Sequence, residues 1–600
     1  MIQRSVQSVR NQLAGYSWLT DMPAMLCWAA VVGVFGAFAT IAFHQGMDLV
    51  QHMATGKRGS IVGMITSLPW YGRLLLPAAG GVTAGLLLWA ASKLKGGANA
   101  DYMEAVAIGD GRLSTRQGLL RSLSSLFSVS SGGSLGREGA MVHLASLCAS
   151  VLGRLIYFST ARLRLLVACG AAAGVASAYG APLAGALFVA EIVLGSMSMR
   201  SFGPLLVAAA SANIVMRMTG HYQTTYAMTD IPQIPGLEVL PFVALGVLAG
   251  FGAPLFLKFI DLTRQLFRRT KLPLPLRLGL GGALVGVLLM FLPPVAGNGY
   301  SVVYSFLHTS WAWQAVVVIL VCKVLATAIT VGSGAVGGVF TPALFVGGAL
   351  GTLFGLIMAA LWPGMQAPVY MYALVGMGSF LGAATSAPLM AILMIFEMTL
   401  SYQIVLPLML AAVVAYFVSR AMAEVAMYDV TVVRERDALL RHRLRYTMIS
   451  DLVRPADTVV AASAPIKDAL QMFLDYPVRY LYVVDDDNIF QGVIAQQDLT
   501  SLLLSQSDLG QKRAGDVLRR DVVKTLHASM SLDQAQEYFV QFRGERLPVV
   551  TNEERPALLG VVYKSAVLEK YSALKRSLDA SAEAMLDHPP ERRSRSSDQE

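Results

Sequence analysis

Long apolar runs dominate the first two thirds of the chain, at 25–43, 74–91, 203–217, 238–257, 276–293, 313–329 and 403–418. Several approach the roughly 20 apolar residues that a bilayer-crossing helix needs. The pattern therefore predicts a polytopic helical membrane region between Met25 and Ala426. The first run is too long for a cleaved signal segment and has no clear small-residue cleavage site before the next one. After Asp429 the texture changes: residues 430–580 mix charges with short Val/Leu/Ile stretches, as a water-soluble α/β region does. The end of the chain, from Asp587 (DHPPERRSRSSDQE), is polar and charged, and a tail over 580–600 is predicted to be disordered.

The apolar pattern is interrupted at matching places. Residues 128–140 read SVSSGGSLGREGA and residues 330–342 read TVGSGAVGGVFTP, so that Ser131-Gly132 aligns with Ser333-Gly334 and Gly136 with Gly338. A second pair follows each: GAPLAGALFVAE ends at Glu191 and SAPLMAILMIFE at Glu397, with Pro182 and Pro388 nine residues earlier. Offsets of 202 and 206 residues, in the same order, predict two related halves, 25–230 and 235–430, after an N-terminal segment 1–24. The soluble region repeats as well. SDLVRP at 450–455 pairs with GDVLRR at 515–520, YLYVV at 480–484 with RLPVV at 546–550, and GVIAQQDL at 492–499 with GVVYKSAV at 560–567. Each unit, 449–505 and 514–570, reads as strand, helix, strand, strand, helix.

Glycine-interrupted segments at corresponding positions of two halves point to a transport site. A helix that starts inside the membrane presents unpaired amides and the positive end of its dipole. Glycines let the backbone turn there and let an anion approach those amides. Arg137 and Glu138 sit among these glycines, where a charge costs roughly 3 kcal/mol or more and is kept for function. Glu191 and Glu397, placed symmetrically in the two halves, are expected to have structural roles such as capping backbone groups.

Composition agrees with a membrane protein: 55% hydrophobic, 14% charged, mean hydropathy +0.56. The net charge of +9 is spread through loops and termini, including Arg4 and Arg10. That is the distribution of a topology signal and not of a nucleic-acid partner, and it places both termini in the cytoplasm after an even number of crossings. Cys27, Cys148, Cys169 and Cys322 lie in apolar segments without a disulfide or metal pattern. Gly332, Gly334 and Gly337 spell G-x-G-x-x-G, but the run before them is too long for a strand and no acid follows about 20 residues on. The histidines form no H-E-x-x-H pair, and there is no nucleophile elbow or P-loop, so no enzyme is expected. A divalent-cation channel would need acidic oxygen ligands in its pore, and no Asp lies deep in a predicted span.

GSLGREG with Glu138, GGVFTPAL at 337–344 and GMGSFLGAATSAPLMAILMIFEMT at 376–399 resemble the CLC chloride channel and transporter family. The tandem units at 449–570 are similar to a CBS-domain pair. The resemblance implies an all-α polytopic membrane protein, an inverted-repeat bundle of tilted, broken helices, with a C-terminal α/β CBS pair. It also implies a homodimer with one pore per subunit in the lipid of a bacterial inner membrane, chloride as the transported ligand, and neither cofactor nor metal. Under it Glu138 is the gating glutamate, whose carboxylate occupies an anion site until it is protonated or displaced. Val339 and Phe340 would offer backbone N–H groups to the ion, Tyr428 its hydroxyl, and Arg137 positive field and its own amide.

The chain departs from the family pattern in places. Where Gly-Ser-Gly-Ile-Pro is common, it reads GGANADYMEA at 96–105, with Ala98 or Asn99 for the serine, and an Asn99 amide would be the substitute donor. Ala140 stands where proline is usual. Proton-coupled members carry a second glutamate just after the position of Glu191, and here it is Ile192, which cannot carry a proton. Passive chloride conduction is therefore expected. Chloride/proton antiport with Glu191 as substitute relay is the alternative, and transport of fluoride or another anion stands behind it. In the CBS pair, Asp498 survives from the Thr/Ser-x-x-Asp stretch that helps hold adenine nucleotides, but Ala495 replaces the hydroxyl, and the second unit has Tyr563 and Ala566. A structural, dimer-supporting pair is expected, with Asp498 as the contact left for a nucleotide.

Overall fold

The structure is a computed structural model. It describes residues 22–583 apart from 57–58, 95–100, 108, 196, 223–225, 227, 229–231, 233–234, 423–426, 429–439, 441–442, 505–511, 521–522, 543 and 552–554. The chain divides near residue 433 into a helical unit and a smaller α/β unit.

The first half of the helical unit contains α1 (Met22–Thr55), α2 (Ile61–Thr66), α3 (Trp70–Lys93), α4 (Tyr102–Ala107) and α5 (Thr115–Ser130). It continues with α6 (Glu138–Leu155), α7 (Thr160–Tyr179), α8 (Pro182–Phe188) and α9 (Met199–Met218). The second half has α10 (Leu240–Arg269), α11 (Leu274–Phe291), α12 (Tyr300–His308), α13 (Trp313–Gly332) and α14 (Phe340–Leu361). It closes with α15 (Val369–Thr385), α16 (Pro388–Thr399) and α17 (Val405–Met422). Among the described residues nine helices are long and apolar enough to span a membrane. The others are shorter or, in the case of the 18-residue α6, less apolar, which is the broken-helix architecture. The run read as 25–43 extends to Thr55, and α13 runs unbroken to Gly332, so the dinucleotide-like glycines follow a helix and not a strand.

Local chemistry explains the breaks. The residues after α7 and α15, Gly180 and Ser386, take left-handed backbone angles (φ 68° and 57°), which ends a helix by turning its last amides aside. Pro182 and Pro388 then start α8 and α16, where a missing N–H costs nothing. In lipid the remaining amides still need partners. Glu397 accepts from the Leu183 and Ala184 amides at 3.0 and 2.8 Å. Glu191 accepts from the Leu389 and Met390 amides at 3.4 and 2.9 Å. Each half thus caps the short helix of the other.

Helix contacts obey the same exchange. A Cβ at Gly81 would overlap the Leu278 carbonyl, and one at Gly282 would overlap that of Pro77. A shift of 201 residues maps the first contact onto the second, so α3 and α11 cross at glycines related by the repeat. Close backbone approach at small residues is how helices associate where lipid offers no hydrophobic drive.

In the second unit, β1 (Val459–Ala461), α18 (Ile466–Asp475), β2 (Tyr480–Val484), β3 (Phe490–Ala495) and α19 (Gln496–Leu504) form the first repeat. The second repeat is β4 (Leu526–His527), α20 (Leu532–Gln541), β5 (Arg546–Val550), β6 (Leu558–Tyr563) and α21 (Lys564–Glu583). Each sheet has the order first, second, third strand, with a parallel and then an antiparallel pair. The two repeats share a core, beside a smaller one centred on the first repeat, and are stitched by Phe490 N to Pro556 O (2.8 Å) and Leu558 N to Asn488 O (3.0 Å). The Tyr482 hydroxyl donates to the Arg546 carbonyl across the same seam (3.2 Å), and burial raises the pKa of its phenol. The last helix reaches Glu583, so residues 580–583, expected in the tail, instead continue an established helix. Residues 584–600 lie outside the described residues.

Candidate functional site

Helix α5 stops at Ser130 and α6 starts at Glu138, while α13 stops at Gly332 and α14 starts at Phe340. The two interruptions meet. Gly136 N donates to Gly338 O (2.7 Å) and Gly338 N donates to Gly136 O (3.0 Å), an isolated antiparallel bridge between positions equivalent in the repeat. Such self-pairing requires a two-fold relation between the halves, and it brings the starts of α6 and α14 to one place. Glycine on both sides leaves the carboxylate its place, since a Cβ at Gly136 or Gly338 would overlap the Glu138 side chain where it now sits.

Glu138 is buried and its carboxylate reaches into the other half. Oε1 accepts from the Thr341 amide at 3.2 Å and Oε2 from the Thr341 hydroxyl at 3.0 Å. That hydroxyl also lies 3.2 Å from the Tyr179 hydroxyl, and Tyr300 interacts with both. A carboxylate from one repeat therefore occupies the N-terminal turn of α14 from the other, the position that a helix dipole and free amides suit to an anion. Among the described residues no ion pair joins Glu138 to Arg137, because Arg137 turns the other way, its guanidinium 5.5 Å from the Tyr300 ring.

This cluster stands between two cavities. One, of about 410 Å³, is lined by Glu138, Val339, Phe340 and Tyr428, and also by Asp101 and His143. Phe188 holds the ring edges of this wall, packed against Phe340 at 6.3 Å and Tyr428 at 5.7 Å. The other, of about 640 Å³, is lined by Arg137 and Tyr300. The gathering of Glu138, Val339, Phe340 and Tyr428 on one cavity places four of the sequence-derived residues together, and Arg137 apart from them. Ala98 and Asn99 lie outside the described residues. Ile192 lies in a π-helical turn, Val189–Val193, half-buried against the apolar core. Asp498 is hydrogen-bonded to Arg519, with its second oxygen buried and unpartnered. Among the described residues no cluster of His, Cys, Asp or Glu could hold a metal ion.

Sequence reading missed Thr341, Tyr179, Tyr300 and His143. Thr341 had a signal, since it stands in GGVFTPAL at the second position of the helix whose first amides were assigned to an anion. The tyrosines and His143 had none, being single residues in apolar helices.

Comparison with known proteins bears on this arrangement. The family model described as voltage gated chloride channel matches residues 79–420, and the CBS domain model matches 448–505 and 514–573. A ClcB-like chloride channel protein of Ralstonia nicotianae is 53% identical over 426 residues, covering 70% of this chain and 98% of that protein. The voltage-gated ClC-type chloride channel ClcB of Escherichia coli is 40% identical over 405 residues, covering 67% and 96%. Among solved structures, a slow cyanobacterial Cl⁻/H⁺ antiporter superposes with a TM-score of 0.61 at 24% identity, covering 68% of this chain and 97% of its own. A eukaryotic CLC transporter gives 0.57 at 18% identity, covering 90% and 97%.

Proposed function

The chain belongs to the voltage gated chloride channel family, and from that premise we propose that it conducts chloride passively through the inner membrane, gated by Glu138. The observation that carries this reading is the Glu138 carboxylate seated on the first turn of α14 between Gly136 and Gly338. It mimics the anion it excludes. Val339 and Phe340 amides and the Tyr428 hydroxyl serve the ion in the adjoining cavity, and protonating the carboxylate weakens its hold on the amide.

Two features support passive conduction over antiport. Ile192 offers no titratable group, and Glu191, the substitute relay, is occupied as a cap on α16. We place both termini in the cytoplasm and two copies in the working assembly. The CBS pair acts as a structural module, since Arg519 takes one oxygen of the Asp498 carboxylate that a nucleotide would use and the other oxygen is buried.

Chloride efflux from liposomes tests the gate. With Glu138 intact, efflux should rise as pH falls, because protonation releases the carboxylate. Glu138→Ala should conduct at every pH and lose most of that dependence. Loss of efflux in folded Glu138→Ala would make the residue structural.

A further inference from the structure

The cavity that Glu138 shares with Val339, Phe340 and Tyr428 has a second carboxylate on its wall. Asp101 lines it from the start of α4, and Arg121 lines it from α5. Asp101 Oδ1 accepts from the Met103 amide at 2.9 Å, which caps α4 and fixes the side chain. Oδ2 lies 3.9 Å from a guanidinium nitrogen of Arg121. Neither side chain is sealed in the protein: Asp101 is 28% exposed and Arg121 32%.

The other formal charges among the described lining residues are Glu138 and Arg264, and Arg264 has Asp261 3.5 Å away on its own helix, α10. Asp101 and Arg121 thus form an ion pair with both members on the cavity wall. Their charge is felt inside it: both act electrostatically on His143, and Asp101 also acts on Tyr428.

A carboxylate facing an anion path opposes the ion and needs a reason. An unbalanced arginine holds an anion by strong charge-assisted hydrogen bonds. Conduction requires an ion held firmly enough to enter and loosely enough to leave. A negative charge about 4 Å from the guanidinium offsets much of its field.

We propose that Asp101 sets the chloride affinity of this cavity, its carboxylate offsetting the charge of Arg121 so that the ion is held loosely. The role rests on the reading of this cavity as the chloride path.

Isothermal titration of chloride into the full-length protein in detergent tests it, beside liposome efflux. Asp101→Asn keeps an oxygen for the Met103 amide and removes the charge, and it should bind chloride several-fold more tightly. Arg121→Gln leaves the aspartate unbalanced and should bind several-fold more weakly, with the double variant between the two. Half-saturation of efflux should move in the same directions. The opposite shifts should persist in Glu138→Ala, where the gate carboxylate cannot produce them. A pair that only shaped α4 would weaken binding in both single variants, and shifts of one sign overturn the proposal. Unchanged affinity in both variants overturns it too, and leaves the conduction reading standing where the parent protein carries chloride. Opposite shifts in a protein that binds chloride without carrying it support the role of Asp101 and count against conduction.

Discussion

At the scale of single residues, the gate proposed at Glu138 would depend on one threonine as much as on the glutamate. Thr341 supplies two bonds to the carboxylate, one from its amide and one from its hydroxyl, beside the one from the Glu138 amide itself. Thr341→Val keeps the shape and the amide and removes a hydrogen bond to a charged group, worth about 1.5 kcal/mol. The released state should then gain about tenfold, read as higher chloride efflux at neutral pH. Equal efflux at pH 7 would mean that the hydroxyl does not restrain the gate. Ile192 carries a second prediction. A proton cannot cross apolar packing without groups or water to pass it on. Under a chloride gradient the current should therefore reverse at the chloride equilibrium potential and stay there when a pH gradient is added. Chloride-driven uphill proton movement in sealed liposomes would overturn passive conduction. The next candidates would then be Glu191 and His143, the second of which opens onto the Glu138 cavity.

At the scale of elements, the halves are held together by exchanged caps. Glu397 and Glu191 each satisfy two amides at the start of a short helix in the opposite half. Leaving buried amides unpaired costs about 1–3 kcal/mol. Glu397→Ala should thus lower thermal stability in detergent, and Glu191→Ala should lower it less. The asymmetry follows from geometry: Glu397 is buried and bonds at 3.0 and 2.8 Å, whereas Glu191 is half-buried and one of its bonds is 3.4 Å. Equal stability of Glu397→Ala and the parent protein would remove capping as the role of the pair. The π-helical turn containing Glu191 is what aims its carboxylate at α16, and it has no counterpart within α16, which stays α-helical through Thr399.

At the scale of the whole molecule, each unit has a core of its own: the CBS repeats pack on each other, and the helical halves interlock at Gly81, Gly282, Gly136 and Gly338. Removing the chain after about residue 445 should therefore leave the membrane unit folded and, by our reading of the assembly, dimeric. Chemical crosslinking of the truncated protein in mild detergent checks this. A monomer would mean that the CBS pair holds the copies together.

The membrane class, the two halves, the CBS repeats and the glycine-flanked Glu138 could all be read from the chain, because each depends on local order. Apolar run length reports a helix in lipid, GAPL and SAPL report where one helix stops and the next begins, and repeated motifs report repeated structure. The meeting of Gly136 with Gly338, the seating of Glu138 on Thr341 and the exchange of Glu191 and Glu397 join residues about 200 positions apart. No local period encodes such a pairing. It arises because two similar halves, each with amides and carboxylates that lipid cannot satisfy, find their partners in one another. The same folding sends the neighbours Arg137 and Glu138 to different cavities, since one ends the loop and the other begins a helix.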